Sequence, residues 1–153
     1  MRVLRGTADD EEIFALLADY YSLVGQIIED GGGRVLKYMG DAALIIFPED
    51  CVDSAVGALL DLREQGDGWL KEREFESTHA INAHFGPACV GYVGSKDAKQ
   101  LDAFGETINI AASRPTHSLS LSTQAFRKLS PLSRKAFKKH TPPLTYIPTD
   151  ERH

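Results

Sequence analysis

The sequence predicts an α+β fold built on an antiparallel sheet. Two stretches, 10–30 and 50–64, carry apolar side chains at helical spacing. Short apolar or alternating runs, the signature of strands, recur at 34–47, 79–85, 88–93, 119–121 and 144–147. Helices and hairpins therefore take turns along the chain, which describes an α+β sandwich of ferredoxin-like topology with helices packed on one sheet. The chain of 153 residues, 42% hydrophobic and 25% charged, is long enough for one domain with a substantial core, so a single domain over 1–153 is expected.

The first helix places Ile13, Leu16, Leu17, Tyr20, Tyr21, Val24, Ile27 and Ile28 on one stripe. Asp9 with Glu12 three residues on is a capping box, and Gly31 ends the helix. The run Arg34–Phe47 reads as two apolar strands around Gly40-Asp41. A Gly-X pair suits a type II′ turn, whose first residue needs positive φ. That turn presents one carboxylate at a hairpin tip, with Lys37 four residues before it. A carboxylate on a glycine-bared turn is a good place to hold a hard divalent cation beside a phosphate, although a solvated turn Asp has the same local pattern.

The second helix, 50–64, turns Val52, Ala55, Val56, Leu59, Leu60 and Leu62 inward. Gly66-Asp67-Gly68 and the charged stretch Lys71–Glu76 read as a loop. Two strands, 79–85 and 88–93, follow on either side of Gly86-Pro87, the first alternating as a half-buried antiparallel strand does. Residues 95–104 read as a polar loop, 105–114 as a short helix, 119–121 as a strand and 123–138 as a basic helix. The run 144–147, fenced by Pro142, Pro143 and Pro148, reads as a last edge strand.

Net charge is −5, which argues against a general nucleic-acid binder. The late basic residues Arg127, Lys128, Arg134, Lys135, Lys138 and Lys139 fit a solvated helix face or an anion site. Cys51 and Cys89 lack metal-ligand spacing and suit a reducing, cytoplasmic setting. No signal peptide and no apolar run of membrane-spanning length is visible.

Three segments carry the chemistry. Lys37-x-x-Gly40-Asp41 comes first. Then come Ala83-His84-Phe85-Gly86-Pro87-x-x-x-Gly91-x-x-Gly94 and Asp102-x-x-Gly105-x-x-x-Asn109-x-Ala111-Ala112. In this order and spacing the chain resembles the catalytic domain of class III adenylate/guanylate (nucleotidyl) cyclases, from about Asp10 onward.

The resemblance implies a set of roles. Asp41 is a metal carboxylate, for Mg²⁺ or Mn²⁺, two ions per site. Lys37 and Asp102 read the purine of ATP, or of GTP in the guanylate branch. Asn109 and a following arginine, here Arg114, serve the transition state, and Lys138 or Lys139 reaches the terminal phosphates. The site is split across a head-to-tail homodimer, or a heterodimer with another cyclase domain. The nucleophile is the 3′-hydroxyl of the substrate itself. Each side chain also has a purely structural alternative. Lys37 snorkels from a strand edge, Asp102 caps the next helix, and Asn109 is a helix-face amide. His84, on the polar side of its strand, is read as structural.

Two departures from the family pattern stand out. The first strand of the family ends in a motif with the other metal Asp. Here Met1–Gly6 has the flavour of that strand but Val3 at the Asp position. Either the first strand is missing from this chain or it is shortened and the carboxylate is gone. The second lies after Asn109: the arginine belongs four residues on, where Ser113 stands, and Arg114 is one residue late. One residue turns a helical side chain by about 100°. An adenylate cyclase domain making cyclic AMP and diphosphate is thus expected by resemblance. A catalytically impaired cyclase-homology module for nucleotide binding, dimerisation or regulation is the alternative.

Overall fold

The computed structural model describes residues 9–113 and 118–151. Met1–Gly6, Arg114 and the connection after it lie outside the described residues. The chain divides into two compact units, Met1–Thr78 and His79–His153.

The first unit holds α1 (Asp10–Asp30), β1 (Arg34–Met39), β2 (Ala42–Ile46) and α2 (Val52–Glu72), with a single 3₁₀ turn at Glu49–Cys51. The capping box forms as expected. The Asp9 carboxylate accepts from the Glu12 amide at 2.8 Å, and the Glu12 carboxylate accepts from the Asp9 amide at 3.3 Å. Val24, Ile27 and Ile28 of α1 are buried, as are Ala55, Val56, Ala58, Leu59 and Leu62 of α2. The end of α1 approaches α2 so closely that a Cβ on Gly31 would collide with the Cβ of Ala58. β1 and β2 form an antiparallel hairpin whose register slips between Val35 and Lys37, placing Lys37 opposite Leu44. Leu36 is the extra residue of a bulge there.

Helix α2 continues through the glycines where a loop was expected, and stops at Arg73. Two helical glycines cost about 1 kcal/mol each. Tertiary packing offsets that: Gly66 is buried, and the Trp69 ring packs against Tyr20 at 5.4 Å and Phe75 at 6.4 Å. Arg73 lies over the Trp69 ring, 4.0 Å from its centroid.

The second unit contains β3 (Ile81–Ala83), β4 (Cys89–Ser95), β5 (Ala98–Phe104), α3 (Glu106–Ser113), β6 (Leu119–Leu121), α4 (Thr123–Lys128), α5 (Pro131–Arg134), β7 (Phe137–His140) and β8 (Thr145–Pro148). Four of these strands make a sheet in the order β3-β6-β8-β7. Its centre is apolar: Leu119, Leu121 and Ile147 are essentially inaccessible.

The α+β class holds, and four details differ from expectation. The four-stranded sheet is mixed, because β3 and β6 run parallel. Residues 84–118 supply the long crossover that a parallel pair needs. The expected loop at 95–104 is β5, paired along its whole length with β4. Its first half, Ala98-Lys99-Gln100, is solvent-exposed, so no apolar alternation marks it. The expected basic helix 123–138 breaks at Leu129. Ser130 caps a new turn with Pro131 at its start, and Phe137–His140 becomes a strand. Finally, β8 lies inside the sheet and β7 at its edge, since Tyr146 pairs with both Leu121 and Lys139. No helix among the described residues is long and apolar enough to cross a membrane.

Candidate functional site

Asp41 sits where the turn chemistry predicted it. Gly40 has φ +67°, and Asp41, the second turn residue, is exposed at the tip of the β1–β2 hairpin. Lys37 lies on β1 of the same hairpin, half-buried. The tip is braced by one tyrosine of α1 and one of β1. The Tyr21 hydroxyl donates to the Gly40 carbonyl at 2.6 Å, and the Tyr38 hydroxyl donates to the Tyr21 carbonyl at 2.8 Å. The rings of Tyr21 and Tyr38 stack with centroids 3.9 Å apart and planes 14° apart. Tyr20 stands beside them, 6.4 Å from Tyr21. These tyrosines entered the sequence pattern only as apolar positions. The available signal was two phenols, Tyr20 and Tyr21, where aliphatic side chains would have filled the α1 stripe, and a third, Tyr38, on β1.

Burial pushes the Tyr20 phenol up to about 12, with the negative charge of Asp41 and then Asp67 adding to it. The Asp41 carboxylate therefore lies close enough to be felt at that hydroxyl. Below pH 10 the phenol is neutral in both folded and unfolded chains. Between pH 10 and about 12 the unfolded chain gives up the proton while the folded chain keeps it. Stability should thus fall as pH rises through that window. Urea midpoints measured from pH 9 to 11.5 should fall less steeply for Tyr20→Phe than for wild type. Equal slopes would mean that Tyr20 contributes nothing to alkaline unfolding.

The remaining predicted residues belong to the second unit. Asp102 is on β5, opposite Gly91 of β4, and is 5% exposed; its carboxylate accepts from the Ala103 amide at 2.8 Å. A Cβ on Gly91 would meet nothing within 4 Å, so neither packing nor backbone requires glycine beside Asp102. Asn109 is exposed on α3, whose start is tied to the β3–β4 connection by the Thr107 hydroxyl, 2.6 Å from the Pro87 carbonyl. Lys138 and Lys139 project to opposite sides of β7. The Lys138 ammonium donates to the carbonyls of Glu151 at 2.6 Å and Thr149 at 3.4 Å, whereas Lys139 is exposed.

No group of three or more His, Cys, Asp or Glu side chains forms a metal cage among the described residues. The donor chemistry at the hairpin tip instead suits a Mg²⁺-like ion that takes most of its shell from phosphate and water. Such an ion needs only one or two carboxylates from the protein.

No protein-family model matches the chain. Its sequence is 28% identical to the adenylate cyclase of Anabaena cylindrica over 109 residues, covering 66% of this chain and 22% of the relative. The chain thus spans about a fifth of that curated relative. Its fold matches the adenylyl cyclase CyaB from P. aeruginosa with a TM-score of 0.76, at 14% identity, over 97% of this chain and 88% of that one. The chain shares its fold with class III nucleotidyl cyclase catalytic domains, and its sequence is similar to adenylate cyclases. A second cyclase structure, the guanylate cyclase domain of RhGC from Catenaria anguillulae in complex with GTP, matches with a TM-score of 0.72 at 17% identity. It covers 95% of this chain and 86% of that one. Against this cyclase fold, the β1–β2 hairpin with Asp41 and the β4–β5 hairpin with Asp102 are the two elements that carry the chain's motif carboxylates.

Proposed function

We propose that this cyclase domain binds ATP with a divalent ion and contributes half of an adenylate-type site. The observation that carries this is Asp41, held at a glycine turn by a dedicated tyrosine brace. Lys37 and Asp102 read the adenine, one as donor and the other as acceptor. Asn109 orients the ribose. The terminal phosphates are assigned to Lys139, whose side chain is exposed, while Lys138 secures the chain's last described residues. In the reaction the ribose 3′-oxygen attacks the α-phosphorus, its proton leaves, and the bond to the β-phosphate breaks to release diphosphate. Mg²⁺ or Mn²⁺, when bound, would neutralise phosphate charge and ease deprotonation of the hydroxyl.

The second half of the site is assigned to another cyclase domain, a second copy or a related chain. Val90 and Tyr92 on one face of the β4–β5 hairpin, and Val93 and Phe104 on the other, are 37–71% exposed, apolar side chains suited to such a partner. ATP supply and two free cysteines fit the cytoplasm.

A catalytically impaired module is the second reading, and one observation favours it: the fourth residue after Asn109 is Ser113, exposed at the end of α3. Cyclic AMP formation by the purified chain with Mn²⁺, set against binding of 3′-deoxy-ATP, decides between the two. Binding without turnover identifies the impaired module, and turnover abolished by Asp41→Ala identifies the enzyme. Absence of both would overturn the nucleotide site itself.

Gly91 offers a test of the adenine pocket. Valine is favoured in strands and meets no obstacle there. Gly91→Val should leave the unfolding midpoint unchanged or raised. It should weaken 3′-deoxy-ATP binding by about tenfold, as expected for overfilling a packed site. Unchanged affinity in calorimetry would place the base elsewhere.

A further inference from the structure

We propose that Tyr21 is a positioning residue for Asp41, selecting one of two orientations that the Gly40-Asp41 turn can adopt; this rests on Asp41 being the ion-binding carboxylate proposed above. The turn runs from Met39 to Ala42, so the peptide joining Gly40 to Asp41 is its central peptide. The two hairpin turn types with positive φ at the first turn residue, I′ and II′, differ chiefly by a flip of that central peptide. Gly40, at φ +67°, serves either form. Asp41 tolerates both as well, because aspartate is among the residues that accept a left-handed conformation. A flip would turn the Gly40 carbonyl over and redirect the Asp41 side chain. The local sequence alone therefore leaves the carboxylate with two directions.

The Tyr21 hydroxyl resolves this by holding the Gly40 carbonyl at 2.6 Å, nineteen residues away in the chain. The holder is itself fixed. Its ring is stacked on Tyr38, and the Tyr38 hydroxyl returns a hydrogen bond to the Tyr21 backbone at 2.8 Å. The tie is reciprocal: helix side chain to hairpin tip, and hairpin side chain to helix backbone. A phenylalanine at 21 would keep the stack and release only the tip.

The test is Mn²⁺ binding in the presence of 3′-deoxy-ATP, which lacks the attacking hydroxyl, followed by electron paramagnetic resonance of the free ion. Tyr21→Phe should weaken binding by about threefold to tenfold, the range of one net hydrogen bond, with little change in the thermal midpoint. Tyr38→Phe also loses one hydroxyl but leaves the tip held, and should stay within about twofold of wild type. If Tyr21→Phe binds like wild type while Asp41→Ala does not bind, Tyr21 positions nothing and Asp41 keeps its role. The same is concluded if both tyrosine variants lose affinity in parallel with stability, since the brace then acts only on folding. If Asp41→Ala binds like wild type, or wild type fails to bind, the role of Asp41 falls and that of Tyr21 with it.

Discussion

Asp41→Ala should lose metal-dependent nucleotide binding by about 100-fold or more, because losing even a supporting residue of a metal site costs 10–100-fold. The wild-type chain should meanwhile form cyclic AMP only near background. Two ions normally share the charge of the triphosphate and of the attacking oxygen, and Asp41 is the carboxylate proposed to hold them. An absent transition-state donor costs a further factor of about 10²–10³, and Ser113 stands where that donor belongs. The measurement is paired: calorimetric titration with Mn²⁺ and 3′-deoxy-ATP, and cyclic AMP release from ATP. Ordinary cyclase rates that vanish in Asp41→Ala would show that the chain is a working enzyme with Ser113 in place. Equal binding by variant and wild type would remove Asp41 from the site.

Leu121→Ala should be the most damaging core change. Leu121 lies on β6 between parallel β3, where it pairs with Ala83, and antiparallel β8, where it pairs with Tyr146. It is 0% exposed. Truncating a leucine in such a place costs about 2–5 kcal/mol, from lost transfer energy and the cavity left behind. For a chain of this size each kcal/mol moves the midpoint by about 2–4 °C, so a fall of about 5–15 °C is expected. Leu132→Ala is the control, because that side chain is 76% exposed and should shift stability by less than about 0.5 kcal/mol. Comparable losses in calorimetric melts would mean that the four-stranded sheet is not the core of its unit.

What the sequence determined by itself was whatever depends on neighbours along the chain. Helix α1 shows this, since its stripe, capping box and Gly31 stop are all local signals and all appear in place. The Gly40-Asp41 turn shows it too, because positive φ at a glycine needs no distant partner. The motif residues Lys37, Asp41, Asp102 and Asn109 could be named from their resemblance to the cyclase motifs, while their surroundings could not. Tertiary structure decided the rest. Helix α2 crosses two glycines because Trp69 finds Tyr20 and Phe75. Strand β5 exists because β4 pairs with it, although its first half carries no apolar pattern. Thr145–Pro148 is a central strand because β7 folds back against it, which no composition of four residues can announce. Asp102 is buried through strand pairing, and the direction of Asp41 is set by a hydroxyl nineteen residues upstream. Periodicity and turn chemistry are written into adjacent residues. Partner choice in a sheet, and the bracing of a turn, depend on contacts formed only once distant segments have met.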